Sequence, residues 1–161
     1  LTVIDKITSA GVVQFSPANT SPELSGYADK GLYFRTAPPD IYQGDVLGQK
    51  VLQDGAQTVA ILALNDSYGT GLSDAAEKTI KAGGGDVVVK TIYDPTAASF
   101  DTEVDAVVAA DPDAIIVIGF DESAKILKSM VEKGIGPKVK KVYGCDGNIG
   151  NALGKAFEAL G

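Results

Sequence analysis

Histidine and tryptophan are absent from these 161 residues, and cysteine and methionine occur once each. The missing imidazole removes serine and cysteine triads built on histidine, most zinc sites and the commonest general base. Cys145 has no partner for an internal disulfide, so cysteine usage leaves the redox compartment open. With no imidazole and no nearby cation to lower its pKa, it reads as a small semi-buried residue at a strand end rather than a nucleophile. Long apolar runs are missing too. The longest, Ala114 to Phe120, falls far short of the roughly 18 residues that a bilayer span needs. A basic stripe is also lacking: 14 basic against 21 acidic side chains give a net charge of −7, which argues against a nucleic-acid surface and for a soluble, freely diffusing body. The length suits one well-buried domain with at most an appendage. The opening on Leu1 and the ending on Leu160-Gly161, just after a helical pattern, suggest a processed or trimmed product.

What is present is a unit repeated four times, a short β-branched run followed by a turn and an amphipathic helix. The runs are Val59 to Leu64, Val87 to Ile92, Ala114 to Ile118 and Lys141 to Tyr143, roughly 27 residues apart, about the length of one βαβ crossover. The spacing predicts parallel strands, and their apolar character predicts strands covered on both faces. The helices expected between them are Asp40 to Asp54, with Gly44, Leu47, Gly48 and Val51 on one face, and Gly71 to Ala82, stopped by Gly83-Gly84-Gly85. A third is capped by Ser99, turns Phe100, Val104, Val107 and Val108 inward, and closes at Asp111-Pro112. A fourth runs from Asp121 to Lys133 with acid at its start and base near its end, ended by Gly134. A fifth runs from near Asn148 to Leu160. The fold class is therefore α/β, a doubly wound parallel sheet over residues 40–161. Residues 1–39 differ: two strand candidates, Val12 to Phe15 and Leu32 to Arg35, precede the stiff Pro38-Pro39 boundary. That segment is expected to belong to another layer or lobe.

Open parallel sheets place ligand sites outside the carboxyl ends of their strands. The residues there are Asn65-Asp66-Ser67-Tyr68, Tyr93-Asp94, Gly119-Phe120-Asp121 and Gly144-Cys145-Asp146, which read as a binding surface more than a catalytic one. Gly69-Thr70-Gly71 lacks the third glycine and the tight turn of a dinucleotide fingerprint. Asp121-Glu122 fits a helix start better than an acid–base pair, and Asp111-Pro112-Asp113 lacks the glycine and spacing of a calcium loop. No metal site and no cofactor is expected.

Four stretches carry a resemblance. Phe15-Ser16-Pro17-Ala18-Asn19-Thr20, Phe34-Arg35-Thr36-Ala37-Pro38-Pro39-Asp40 with Gln43-Gly44, Asn65-Asp66-Ser67-Tyr68-Gly69-Thr70-Gly71-Leu72, and Tyr93-Asp94-Pro95 with Phe100 together resemble the type I periplasmic solute-binding proteins of ABC importers, the branched-chain amino-acid group in particular. The order and spacing of the four carry the likeness, which spans nearly the whole chain but only the middle of a family member. It implies two α/β lobes joined by a hinge, with residues 1–39 as a partial amino-terminal lobe and hinge crossover and residues 40–161 as the carboxy-terminal lobe. It also implies a ligand loop of Ser16, Ala18, Asn19 and Thr20, in which the Ala18 backbone and the Thr20 hydroxyl hold the ligand's α-carboxylate and ammonium. Tyr68 matches a pocket aromatic, and Phe120 a position that is often tyrosine. Asp146 matches the acid that pairs with the ammonium, one carbon shorter than the glutamate often found there.

The implied function is a non-enzymatic, periplasmic or extracellular receptor for a branched-chain or other neutral amino acid or a related compound, aromatic carboxylates included, membrane-associated through its transporter or a lipid anchor and recognised by an ABC permease when closed. Competing readings are a sensor that reuses the lobe and an α/β enzyme using the strand-end carboxylates. Val12, Val13, Phe15, Leu32, Tyr33 and Phe34 would pack in the other lobe. Without it residues 1–36 are expected to be protease-sensitive or buried in a dimer.

Overall fold

A computed structural model describes residues 1–158. Its element order is α1 Ile4–Ser9, β1 Gln14–Ser16, β2 Tyr33–Arg35, α2 Asp40–Gln53, β3 Thr58–Leu64, α3 Ser67–Ala82, β4 Asp86–Tyr93, α4 Asp101–Ala110, β5 Ala114–Ile118, α5 Ser123–Glu132, β6 Lys141–Tyr143 and α6 Asn151–Phe157, with short 3-10 turns at Pro22–Ser25 and Asp146–Asn148. Strands β1 and β2 form a separate two-stranded parallel ribbon, and the main parallel sheet has the order β4-β3-β5-β6. The chain thus has the α/β architecture that its strand spacing predicts.

The two central strands, β3 and β5, are buried along nearly their whole length, and Ile61, Leu62, Ile115, Ile116 and Ile118 have no exposed surface. Both faces of these strands must therefore be covered. Right-handed crossovers put α3 on one face and α4 and α5 on the other; α2 packs against α3, and α4 against α5. Strand β4 departs from the expectation of two covered faces. It is an edge strand, Val88 and Ile92 remain partly exposed, and Lys90 leans onto α3 to pair with Asp74 and with Glu77, the latter at 2.7 Å.

Helix boundaries shift where side chains compete for backbone groups. Helix α3 starts four residues before the expected Gly71, because the Asp66 carboxylate accepts from Gly69 N at 2.7 Å and caps it there. Helix α4 is flanked by Phe100 rather than capped by Ser99, whose hydroxyl instead bonds Asp101, and Asp111 ends it in the left-handed region at φ 45°. Helix α5 begins at Ser123, and Asp121 and Glu122 belong to the turn before it. Lys133 pairs across to Asp105 on α4 rather than acting on the end of its own helix. The fifth expected helix starts at Asn151, since residues 146–148 form a 3-10 turn, and its expected end at Leu160 lies outside the described residues. The six-residue α1 was not anticipated; Ile4 and Thr8 are its only buried positions, too short a pattern to read.

At the amino ends of the central strands, Asp113 ties the sheet together. One carboxylate oxygen accepts from Gln57 N (2.8 Å), Thr58 N (2.9 Å) and Thr58 Oγ1 (3.0 Å), and these bonds hold its pKa below the usual carboxylate range.

Helices α2 and α3 meet through glycine. A Cβ on Gly44 would lie 2.5 Å from Ala75 Cβ and 2.7 Å from Ala76 N, and one on Gly48 3.0 Å from the Ala76 carbonyl oxygen. Gly44→Ala should therefore destabilise the fold by about 1–3 kcal/mol through overpacking, despite the ~1 kcal/mol that alanine gains in helix propensity. Urea denaturation measures this, and a midpoint at or above that of wild type would show that the helices can separate freely.

Candidate functional site

The chain crosses from β4 back over β3 to start β5, so the strand order reverses between β3 and β5. The carboxyl ends of that pair are the place where an open parallel sheet leaves a crevice. A cavity of about 250 Å³ lies there, lined by Leu1, Ala18, Asn19, Thr20, Ser21, Leu24, Asp66, Ser67, Tyr68, Phe120 and Asp146. Two larger hollows, of about 710 and 540 Å³, lie beside α5 and α6 and on the outer side of α2 and α3, away from these strand ends. The smaller cavity is the candidate because hydroxyls, carboxylates and aromatic rings from separate elements converge on it.

Six of the seven anticipated residues line this cavity: Ala18, Asn19, Thr20, Tyr68, Phe120 and Asp146. Ser16 does not. It is buried, and its hydroxyl accepts from Ala18 N at 3.3 Å and Asn19 N at 3.0 Å, so it shapes the loop rather than facing the cavity, and it engages the Ala18 amide expected to serve the ligand. Arg35 on β2 holds the same loop from the other side. Its guanidinium donates to Asn19 O (3.2 Å), Ser21 O (2.8 Å) and Ser25 Oγ (2.6 Å).

Tyr68 joins two strand ends. Its hydroxyl donates to Asp146 Oδ1 at 2.7 Å, accepts from Gly147 N at 3.1 Å and lies 3.0 Å from Cys145 Sγ. Burial, with Cys145 and Asp146 alongside, pushes the phenol well above its ordinary pKa, so it stays a donor. Its ring stacks on Phe120 at 5.3 Å and 27°. The turn that carries Asp146 is stapled by buried Asn148, which accepts from Cys145 N at 2.9 Å and donates to Val117 O at 2.8 Å. Gly147 allows the close fit, since a Cβ there would sit 2.6 Å from Gly119 O and 2.7 Å from the Tyr68 hydroxyl. Burial raises the pKa of Cys145, which favours the thiol over the thiolate.

The end of β4 lies apart from the cavity. Tyr93 is a core residue whose hydroxyl lies 2.9 Å from both Ile118 O and Glu122 Oε1 and shares its one hydrogen between these acceptors, and Asp94 caps a turn at Thr96. Strand β4 is on the far side of β3 from the strand reversal, which removes it from the crevice. Glu122 also accepts from Phe120 N at 2.9 Å, so this acid holds the backbone of a cavity residue. Asp66 and Ser67, expected at a strand end but given no ligand role, line the cavity as well, and so does Leu24. Asp66 was legible in principle, as a helix-capping acid two residues before a cavity aromatic.

Asp40, the first residue of α2, was not anticipated either. It has no exposed surface, and neither carboxylate oxygen has a hydrogen-bond partner. Its backbone N donates to Thr20 O at 2.9 Å, which hangs the cavity loop on the start of α2. Thr20 is thus joined to Asp40 through the backbone, while the Asp40 carboxyl group itself has no partner. Burial pushes the group up to about 6, opposed by Thr20 and Arg35 and reinforced by Asp146 and Asp66.

The periplasmic binding protein family model matches residues 1–160, and the chain belongs to that family. It is 30% identical over 151 residues to an uncharacterised protein of Methanocaldococcus jannaschii, covering 88% of this chain and 36% of that relative. It is 29% identical over 128 residues to the Leu/Ile/Val-binding protein BraC3 of Rhizobium johnstonii, covering 78% and 34%. The chain thus spans about a third of the length of these curated relatives. Among solved structures, a solute-binding protein of an R. palustris ABC transporter in complex with 4-hydroxybenzoate superposes with TM-score 0.86 at 17% identity, over 98% of this chain and 43% of that one. The leucine-binding protein LivK of Thermotoga maritima superposes with TM-score 0.84 at 20% identity, over 97% and 44%. The fold is that of the type I members, a family of solute-binding proteins rather than enzymes.

Asp40 generates a stability prediction. Its folded pKa, about 6, lies above the ordinary 3.8, so the folded state holds the proton more tightly. Its contribution is most favourable below pH ~4 and is lost as pH rises through ~6. Asp40→Asn should remove that slope and raise stability by roughly 1–3 kcal/mol near neutral pH, with the gain vanishing towards pH ~4. Thermal melts across this range measure it, and a gain that does not depend on pH would refute the assignment.

Proposed function

We propose that the chain supplies one wall and the adjoining loop of an interlobe ligand site in an extracytoplasmic solute-binding component of an ABC importer, with a small neutral amino acid as ligand. Residues 1–39 serve as part of the amino-terminal lobe and hinge crossover, and residues 40–161 as the carboxy-terminal lobe. The observation that carries the choice of ligand is the pairing of unlike chemistry across the cavity: hydroxyl and backbone groups of the loop at Ala18 to Thr20 on one side, the Asp146 carboxylate on the other. A zwitterion matches both, its carboxylate meeting donors at the loop and its ammonium meeting Asp146 in a charge-assisted hydrogen bond. The relatives named for leucine, isoleucine and valine support this reading.

A second reading, an aromatic acid, is favoured by the Tyr68–Phe120 stack and by the neighbour seen with 4-hydroxybenzoate. In either case ligand bridging stabilises a closed arrangement of the lobes, and a membrane permease recognises that state. The importer, or a lipid anchor, keeps the receptor at the membrane outside the cytoplasm. No helix among the described residues is long and apolar enough to cross a membrane.

Asp146→Ala in the full-length protein separates the readings. Asp146 is exposed in this chain, so the loss depends on lobe closure: calorimetry should show leucine weakened by about 2–5 kcal/mol, as when one partner of a charge pair buried in a closed cleft is removed, and 4-hydroxybenzoate weakened far less. Equal losses for both would leave Asp146 as a turn residue. The ribbon of β1 and β2 carries a further consequence. Val12, Val13, Phe15 and Phe34 are exposed by 54%, 60%, 60% and 51%, an apolar surface that the other lobe would cover. Light scattering of the isolated 161-residue chain should show a dimer, or limited proteolysis should cut within residues 1–36. A monomer whose first 36 residues resist protease would contradict this assignment.

A further inference from the structure

Thr20 is half-buried, lines the cavity and has one hydroxyl hydrogen to give. Its backbone has little freedom, because Arg35 holds the carbonyls of Asn19 and Ser21 on either side and Asp40 N holds its own. What stays adjustable is the direction of that hydrogen. Asp40, whose backbone N bonds the Thr20 carbonyl, carries a fully buried, unpartnered carboxyl group. We propose that Asp40 takes up one proton from solvent when a ligand carboxylate binds at Thr20, so that the Asp40 O–H donates to Thr20 Oγ and the Thr20 O–H donates to the ligand. The proposal rests on the amino-acid reading above.

The argument is one of hydrogen-bond direction and charge. Beside an ionised Asp40, the Thr20 hydrogen turns inward to the stronger, charged acceptor, and a ligand carboxylate then meets an oxygen lone pair with a second negative charge behind it. Beside a neutral Asp40 the same hydroxyl accepts from within and donates into the cavity. An anionic ligand group therefore binds better to the protonated form, and by linkage its binding raises proton occupancy. The charged groups facing Asp40 do not compensate for a second anion. Among the described residues that act on Asp40, the cation is Arg35 on β2, whose guanidinium bonds go to the loop, while Asp66 before α3 and Asp146 after β6 are both acids. With the Asp40 pKa at about 6, the empty site is largely ionised at neutral pH and has a proton to gain. Asp40 is in this account a positioning residue, acting on the ligand through Thr20.

Calorimetry of the full-length protein at about pH 7.5, in two buffers of different ionisation enthalpy, counts the protons. L-leucine should bind with net uptake approaching one proton, and its affinity should weaken above neutrality by up to roughly tenfold per pH unit, the limit for one coupled proton. The deaminated analogue 4-methylpentanoate should show the same uptake, and the decarboxylated 3-methylbutylamine none. Asp40→Asn, a neutral side chain able to donate to Thr20, should abolish uptake and flatten the pH profile. Carboxyl 13C NMR of the unsubstituted protein should show the Asp40 titration move upward when leucine is added, a readout that does not depend on the variant folding. Leucine binding without proton uptake, or an Asp40→Asn variant that keeps the pH dependence, would overturn the coupling while leaving the amino-acid reading intact. Failure of leucine to bind at any pH would remove both.

Discussion

Burying β3 and β5 on both faces is the constraint from which the remaining arrangement follows. A strand such as Ala114–Ile118, with every residue buried, leaves no face to water. The chain must therefore send helices to both sides of the sheet, and right-handed crossovers can do so only by reversing direction once. That reversal opens the crevice between the two strand ends. The cavity is thus a by-product of covering the core, and the residues that follow β3 and β5, Asp66 to Tyr68 and Phe120, come to line it through topology rather than local conformation. The glycines of α2 extend the same logic, because the helix lies close enough to α3 to cover the sheet only where side chains are missing.

Much of the fold was legible because it is periodic. The β-branched runs at Val59, Val87, Ala114 and Lys141 all form strands, and the apolar face of Gly44, Gly48 and Val51 is the buried face of α2. What was not legible depends on neighbours distant in sequence. That the Val87 run would be an edge strand, half in water, follows from strand order, which spacing does not encode. Helix α3 begins at Ser67 rather than Gly71 because the Asp66 carboxylate caps it there, a case of side-chain chemistry outranking composition. Helix α1 has too few residues for any period to appear.

The site was legible in its strand-end residues and in the loop that carried the family likeness, and illegible in its support. Tyr68, Phe120 and Asp146 follow strands and could be placed on one edge of the sheet from the topology alone. Nothing in a linear reading couples the Tyr68 hydroxyl to Asp146, Glu122 to the backbone of Phe120, or Asn148 to Val117, since each bond joins separate elements. Asp40 was hidden for a related reason. An acid at the first position of a helix is commonplace on a protein surface, and only the packing of the Thr20 loop over it makes it a buried group.

The Asp113 clamp separates strand alignment from the cavity. It fastens Gln57 and Thr58 at the amino ends of the central strands, while the cavity lies at their carboxyl ends. The sheet is secured at the end away from the cavity, so a substitution in the crevice leaves the contacts that align the strands at the other end in place.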